Sequence, residues 1–349
     1  MCNIAGYAGT KPAAPILIEM MKKQEGMLGG YYTGIATVHE GKIYYAKLTG
    51  DVDRLVALTN ALSLPGTVGI IHSRSKSGGG DKWAHPFVGR SPDGSEPKIA
   101  YVANGASGFF NRSEDKENAL FITESLIKDG YGFDSRDVVE GDRYINLLDG
   151  TSLHMSDVMC QLIAKYHDSG EPIERAAGNA FIERPSEIVG LLLSLEKPNA
   201  ISYARFNMPM FVSFASHGAY LSSAPFAMPA DRGEHTLLPA GSYGNIYSDH
   251  FESYKMKTLP HPIAHNDATL RHDIYDIVEK KLSEGAFEMR EINKAAKEAY
   301  KGDSLKTVAS VTYDVLDQLI KEDRLNIEVR RVEGAFPELT APKCYMSLK

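Results

Sequence analysis

The chain has 349 residues, of which 43% are hydrophobic and 24% are charged, and its formal net charge is -7. This composition is typical of a globular protein large enough for two domains. The negative charge disfavours general nucleic-acid binding, because attraction to phosphate requires a positive field. Three cysteines imply no disulfide framework. Neither a signal-peptide pattern nor an apolar run of about 18 residues is present, so we expect a cytoplasmic protein without membrane contact.

Short segments rich in Val, Ile and Tyr alternate with longer helical patterns along the first 200 or so residues. Strand patterns cover residues 34–38, 42–46, 68–72 and 98–102. Helical patterns cover residues 15–26, 116–130, 151–170 and 185–196. This succession indicates an α+β fold, and the pattern alone does not choose among α+β topologies.

A different module follows the proline-bracketed segment Leu259–Pro262, which is typical of a linker. Three helical patterns and then a strand pattern at residues 326–332 resemble a winged-helix domain. We therefore predict a first domain at residues 1–258, a linker at 259–264 and a helical, winged-helix-like domain at 265–349. From Pro260 onward the chain carries 14 basic and 16 acidic residues. This balance favours protein contact, including a homo-oligomer, over DNA binding as the role of the module.

The chain begins with the sequence MCNIAGYAG, in which Cys2 becomes the N-terminal residue if the initiator methionine is removed. A thiol is a strong nucleophile only as thiolate, and a free α-amino group with a pKa of about 8 can accept its proton. Taken alone, a cysteine in second place is more often an ordinary small residue that starts a strand. The remaining motifs decide between these two interpretations.

Three later segments occur in the order and at the spacing of a known family. Gly69–Arg74 (GIIHSR) is similar to a GxxHTRW motif, Ala84–Phe87 (AHPF) to NAHPH, and Val102–Gly105 (VANG) to the end of an HNG motif. Together with the first residues, which are similar to MCGIxG, they resemble the class II glutamine amidotransferases. These are the N-terminal-nucleophile glutaminase domains of glucosamine-6-phosphate synthase and glutamine phosphoribosylpyrophosphate amidotransferase. Residues 208–244 resemble the strands that close this domain, so the resemblance covers roughly the first 255 residues.

The resemblance implies a four-layer αββα N-terminal-nucleophile hydrolase sandwich. It also implies that Cys2 hydrolyses L-glutamine to L-glutamate and ammonia through a thioester, with no metal and no organic cofactor. The synthase half of the family's enzymes has no counterpart in this sequence, so we expect a separate synthase chain to accept the ammonia. Asn104 and Gly105 would donate N–H groups to the oxyanion, although this dipeptide is also typical of a type I′ turn.

The family's glutamine-binding residues match four positions of this chain. Arg74 would hold the substrate carboxylate, since a guanidinium offers two parallel donors. Ser77 would contact the same carboxylate, and His85 would form part of the pocket wall, either by substrate contact or as a structural histidine. The α-amine requires a carboxylate, for which we select Asp137, with Asp134 as the alternative.

Several positions differ from the family pattern. Asn3 replaces a glycine beside the nucleophile and is expected to reshape or block the pocket. Leu28 stands where the family has an arginine that positions the nucleophile. In the loop after Arg74, Ser75 and Gly78 replace a tryptophan and a histidine. These changes leave two alternatives open: a catalytically weak glutamine-sensing or regulatory protein that acts through its C-terminal module, or an amidohydrolase of the same type for another amide.

Overall fold

The computed structural model describes residues 2–94, 96–106, 113–139, 144–184, 187–257, 268–299 and 305–349. The helices of these ranges are α1 (Ala13–Gln24), α2 (Val52–Leu58), α3 (Ser113–Lys128), α4 (Met155–Asp168), α5 (Ile173–Glu183), α6 (Ala268–Ser283), α7 (Met289–Ala299) and α8 (Leu305–Lys321). The predicted linker, residues 259–264, lies outside the described residues.

The strands, in chain order, are β1 (Asn3–Gly9), β2 (Tyr32–His39), β3 (Lys42–Thr49), β4 (Val68–Arg74), β5 (Phe87–Val88), β6 (Ile99–Ala106), β7 (Ile145–Asn146), β8 (Ser152–Leu153), β9 (Glu187–Ser194), β10 (Ile201–Arg205), β11 (Phe211–Ala215), β12 (Gly218–Ser222), β13 (His235–Leu237), β14 (Ser242–Ile246), β15 (Phe251–Lys255), β16 (Phe287–Glu288), β17 (Leu325–Glu333) and β18 (Thr340–Leu348). The four strand patterns of the first 102 residues coincide with β2, β3, β4 and β6, the last pattern beginning one residue before β6.

Two large antiparallel sheets form the centre of the molecule. The first has the order β13-β11-β12-β1-β4-β2-β3, and the second has the order β15-β14-β10-β9-β6-β5. Side chains alternate between the two faces of each strand. On β1, Ile4 and Ala8 therefore pack between the sheets, whereas Ala5 and Tyr7 pack on the opposite face.

Helices cover the outer faces of both sheets. Helix α1 packs on the first sheet in one apolar cluster, and α3, α4 and α5 pack on the second sheet in another. The order of layers is therefore helix, sheet, sheet, helix, and the predicted α+β architecture is confirmed.

The helix predicted at residues 185–196 is wrong, because the structure has strand β9 there. Val189, Leu191 and Leu193 pack between the sheets, and Leu192 packs against the helices of the outer layer. A strand that is apolar on both faces shows no alternation, so its short apolar run is compatible with either a helix or a strand.

The C-terminal elements follow the order α6-β16-α7-α8-β17-β18, with a small antiparallel sheet ordered β16-β18-β17. Apolar residues of α6, α7 and α8 belong to the same cluster as α1 and the outer face of the first sheet. The C-terminal module therefore lies on the face of β1 that is opposite to the second sheet. Among the described residues, no helix is long and apolar enough to cross a bilayer.

Candidate functional site

Strands β1 and β4 run side by side and bring the first residues of the chain next to the GIIHSR motif. Asn3 lies opposite Ser73 and Ile4 lies opposite His72. The side chains of Ile4 and His72 point between the sheets, where His72 Nε2 lies 3.0 Å from the carbonyl oxygen of Ala103 on β6. Three strands from two sheets therefore meet beside Cys2.

Cys2 contacts the predicted oxyanion residue directly. Its backbone N–H donates to Asn104 Oδ1 at 2.7 Å, and Asn104 is 2% exposed. Asn104 and Gly105 lie within β6, opposite Val189 and Ile188 of β9, so they do not form the type I′ turn that their sequence also allowed. An amide whose oxygen accepts a hydrogen bond directs its N–H groups to the other side, where they can donate to a second acceptor.

The Cys2 thiol is acidic for a cysteine. Burial raises its pKa, but the hydrogen bond and positive charge of His72, with a further contribution from the Ser75 backbone, outweigh burial and lower the pKa to about 6. The thiolate is the nucleophilic form of cysteine. Cys2 is therefore mostly thiolate at neutral pH. By contrast, burial raises the pKa of the Cys160 and Cys344 thiols, so neither is activated.

Arg74 is a buried cation with uncharged partners. It is 2% exposed, and its guanidinium donates to the carbonyl oxygens of Trp83 and Gly78, both at 2.9 Å. The guanidinium carbon also lies 4.4 Å from the centre of the Tyr32 ring. Burial lowers the pKa of Arg74, and the neighbouring side chains of Tyr144, Tyr32 and Cys2 partly offset this decrease. No carboxylate within the described ranges pairs with Arg74, so its charge is available for an anionic ligand.

His85 lies in a stack of histidine rings beside the nucleophile. Its ring centre is 3.8 Å from that of His72 and 5.2 Å from that of His154. Burial and the neighbouring positive groups hold its pKa well below the usual range, so His85 is neutral. Both of its ring nitrogens lack a hydrogen-bond partner among the described residues, as does Trp83 Nε1.

A buried polar atom without a partner costs about 1–3 kcal/mol, so native proteins contain few of them. Here three such atoms, from Trp83 and His85, lie around Cys2 and Arg74. This concentration is typical of a pocket that completes its hydrogen bonds with a ligand.

Two of the predicted substrate-binding residues do not join the buried group around Cys2 and Arg74 in the expected way. Ser77 has a hydrogen-bond partner in its own loop, and Asp137 lies apart from the group. Ser77 is partly buried and donates to the carbonyl oxygen of Ser75 at 3.2 Å. Asp137 is exposed, and its carboxylate accepts from the backbone N–H of Val138 at 2.9 Å. The structure therefore does not bring Asp137 into the buried group.

The alternative carboxylate, Asp134, accepts from Arg90 Nε at 3.0 Å and lies 3.9 Å from Lys47 Nζ. From the same part of the chain it is His154, just before α4, that reaches His85, with its ring also 5.5 Å from that of Trp83. Sequence reasoning overlooked His72, Trp83 and His154. The alternation of β4 could have identified His72, because it lies two residues before Arg74 on the same face of the strand.

Asn3 does not enter the pocket, contrary to expectation. It is fully buried on the opposite face of β1, where Oδ1 accepts from the backbone N–H groups of Leu28 at 3.3 Å and Gly29 at 2.8 Å. The alternation of side chains explains the difference, since Cys2 and Asn3 point to opposite sides of the sheet. The described residues contain no group of three or more His, Cys, Asp or Glu side chains suited to a metal ion.

Comparison with known proteins finds glutamine–fructose-6-phosphate aminotransferases among the curated relatives. No protein-family model matches the sequence. Glutamine–fructose-6-phosphate aminotransferase (isomerizing) of Pyrococcus horikoshii is 27% identical over 254 residues, which are 72% of this chain and 37% of the relative. The enzyme of the same name from Methanosarcina acetivorans is 30% identical over 233 residues, 64% of this chain and 32% of the relative. The chain thus spans about a third of the length of these curated relatives.

Among solved structures, glutamine phosphoribosylpyrophosphate amidotransferase from B. subtilis, complexed with ADP and GMP, has a similar fold. Its TM-score is 0.59 at 15% identity, over 85% of this chain and 64% of that chain. The relatives are enzymes of the N-terminal-nucleophile type, and the resemblance of this chain to the class II glutamine amidotransferases is confirmed.

Proposed function

We propose that this chain hydrolyses L-glutamine to L-glutamate and ammonia with Cys2 as the nucleophile. Removal of the initiator methionine frees the Cys2 amine. The thiolate adds to the side-chain amide carbon, and the resulting oxyanion accepts N–H bonds from Asn104 and Gly105. The C–N bond then breaks, the Cys2 amine delivers a proton to the leaving nitrogen, and ammonia departs. Water hydrolyses the remaining thioester, which releases glutamate and restores the thiol.

The contact between Cys2 and Asn104 carries this proposal. The 2.7 Å hydrogen bond fixes the amide of Asn104 beside the nucleophile, where one oxyanion donor is typically worth about 3–4 kcal/mol of transition-state stabilisation. The low pKa of Cys2 supplies the thiolate. Arg74, which lacks a carboxylate partner in the described part of the chain, would bind the α-carboxylate of glutamine.

The ammonia would be used by a separate synthase chain. Free ammonia is a small neutral nucleophile that escapes unless an acceptor site is close. The curated relatives are named glutamine–fructose-6-phosphate aminotransferases, a name that implies an acceptor for the nitrogen of glutamine. We propose by analogy that a synthase partner provides the acceptor site here.

The first experiment combines an intact mass with a glutaminase assay on the same sample. We expect loss of the initiator methionine together with glutamate release, and no release from Cys2→Ala. Cys160→Ala is the matched control, because Cys160 is a buried thiol with a raised pKa. Trimmed protein that releases no glutamate, or equal release from Cys2→Ala, would refute the proposal.

A second candidate, hydrolysis of another amide, is favoured by one observation. The charged groups that act on His85 from the described residues are basic, namely Arg74 and Lys47 together with neighbouring histidines. Since Asp137 is exposed, these residues offer a carboxylate site but no partner for an α-ammonium group. Glutaramate, which is glutamine without its α-amine, separates the candidates. Glutamine cleaved more than tenfold faster would support the first, and glutaramate cleaved at least as fast would support the second.

We further propose that residues 265–349 form a winged-helix-like module used for protein contact. The element order α6-β16-α7-α8-β17-β18 supports the winged-helix assignment. In a helix-turn-helix the second helix enters the DNA groove, and here that helix is α8. Its apolar residues pack on the first sheet, and Asp317 and Asp314 bind Arg232 at 2.6 Å and His235 at 2.9 Å. DNA binding through α8 is therefore disfavoured, and a synthase chain or a second copy is the proposed partner.

A further inference from the structure

The face of β1 behind the nucleophile carries a second set of contacts. Cys2 and Arg74 point between the sheets, whereas their neighbours Asn3 and Ser73 point away from the second sheet and lie opposite each other on β1 and β4. Both neighbours are fully buried. Any element that fixes Asn3 and Ser73 therefore also fixes the backbone from which Cys2 and Arg74 project.

The element that contacts both residues is the loop of residues 25–30, which we call the strap. Asn3 Oδ1 accepts from the strap at Leu28 and Gly29, and Ser73 Oγ accepts from the backbone N–H of Gly30 at 2.7 Å. Ser73 Oγ also donates to the carboxylate of Glu25 at 2.7 Å. The strap thus crosses directly behind the Cys2 and Arg74 positions.

Strand β18 of the C-terminal module holds the strap from its other side. The backbone N–H of Cys344 donates to the Gly26 carbonyl at 2.9 Å, and Cys344 Sγ donates to the Glu25 carbonyl at 3.4 Å. Pro342 packs so tightly on Gly30 that a Cβ there would lie 2.9 Å from its ring, and Gly30 also has a φ of +109°. Only glycine suits this position.

Helix α8 approaches Asn3 itself. Asn3 Nδ2 and the Tyr313 hydroxyl are both buried, and neither has a hydrogen-bond partner among the described residues. Burial raises the pKa of Tyr313, and the Asn3 side chain opposes that rise, which identifies the two groups as polar neighbours. Further from the nucleophile, Arg331 of β17 pairs with buried Asp51 at 2.6 Å.

We infer that the C-terminal module is a built-in support of the nucleophile. In this arrangement strand β18 holds the strap, Tyr313 lies beside Asn3, and the strap and Asn3 hold Cys2 beside His72. Tyr313 and Asn3 are positioning residues, since they act through the backbone of β1 and lie on the face away from the pocket. This inference rests on the proposed role of Cys2 as the nucleophile. A partner that binds the module could change the reactivity of Cys2 through the same contacts.

The test measures alkylation of Cys2 by iodoacetamide from pH 5 to 9, quantified by mass spectrometry of its peptide in the full chain. Alkylation requires the thiolate but not glutamine. We expect a midpoint near pH 6 in the parent protein and a midpoint about one pH unit higher in Asn3→Ala, which is a fall of about fivefold in rate at pH 6. Tyr313→Phe should shift the midpoint in the same direction. Tyr345→Phe is the control, since its hydroxyl bonds Glu288 within the module.

A purely structural role would lower the melting temperature without moving the midpoint, and that result would overturn the inference. Tyr313→Phe removes a single hydroxyl, so it keeps the test valid if Asn3→Ala fails to fold. The Asn3→Ala/Tyr313→Phe double variant should shift the midpoint by less than the sum of the single shifts, because the two side chains are neighbours and act on the same strand. If Asn3→Ala shifts the alkylation midpoint but the parent protein releases no glutamate, the proposed function is refuted and the support role stands. If the parent protein releases glutamate but the variants do not shift the midpoint, only the support role is refuted.

Discussion

The nucleophile side of the pocket is carried by three strands, β1, β4 and β6, whereas the opposite side is built from residues 75–87, 134–139 and 144–154, whose described elements are two-residue strands, a short 3-10 helix at Asp81–Trp83 and loops. On the first side Cys2, Asn104 and Arg74 come together as their motifs imply. On the second side the expected carboxylate, Asp137, is exposed, and the half-buried His154 packs against His85 instead. The predicted site residues that lie on strands are therefore placed together, whereas the predicted carboxylate on the loop side is not.

The largest effect is expected on the nucleophile side, at Asn104. Replacing Asn104 with Ala removes one oxyanion donor and the acceptor of the Cys2 N–H, so we expect kcat to fall about 100-fold to 1,000-fold. Steady-state glutamate release measures this change, with exposed Asn199→Ala as the control. If kcat falls less than about threefold in Asn104→Ala, the strand-borne residues are not the catalytic ones. The contrast drawn between the strand side and the loop side of the pocket would then be wrong.

A smaller effect is expected from His72, which lowers the pKa of Cys2 to about 6 against the effect of burial. Since the reactive form is the thiolate, the parent protein should lose reactivity as the pH falls through about 6. In His72→Gln the midpoint should rise toward that of a free thiol, about 8.5, and alkylation of Cys2 at pH 7 should fall more than tenfold. His272→Gln, on the exposed face of α6, should match the parent. An unchanged midpoint in His72→Gln would show that another group activates the thiol.

The same division between the two sides explains what could be predicted from the sequence. Cys2, Arg74 and Asn104 lie on strands, where alternation and pairing register convert a position in a motif into a position in space. Asn3 shows the limit of reading a motif without that geometry, because its neighbour is the nucleophile but its side chain faces the strap and α8. Residues 134–139 and 144–154 consist of loops and two-residue strands, so their spacing from the motif does not determine which side chain reaches the pocket.

The smallest effect is expected on the loop-built side, at Asp137. Because this carboxylate is exposed and accepts only from the adjacent Val138 N–H among its described contacts, Asp137→Asn should change kcat/KM for glutamine by less than about twofold. His154→Ala, by contrast, should raise KM clearly, since His154 contacts His85 and Trp83 in the buried group. A tenfold rise of KM in Asp137→Asn would mean that residues 134–139 close over the α-amine when glutamine binds. In that case the site would recognise glutamine as the family does. The strand-borne residues would be in place before binding, whereas the loop would complete the site only when the substrate binds.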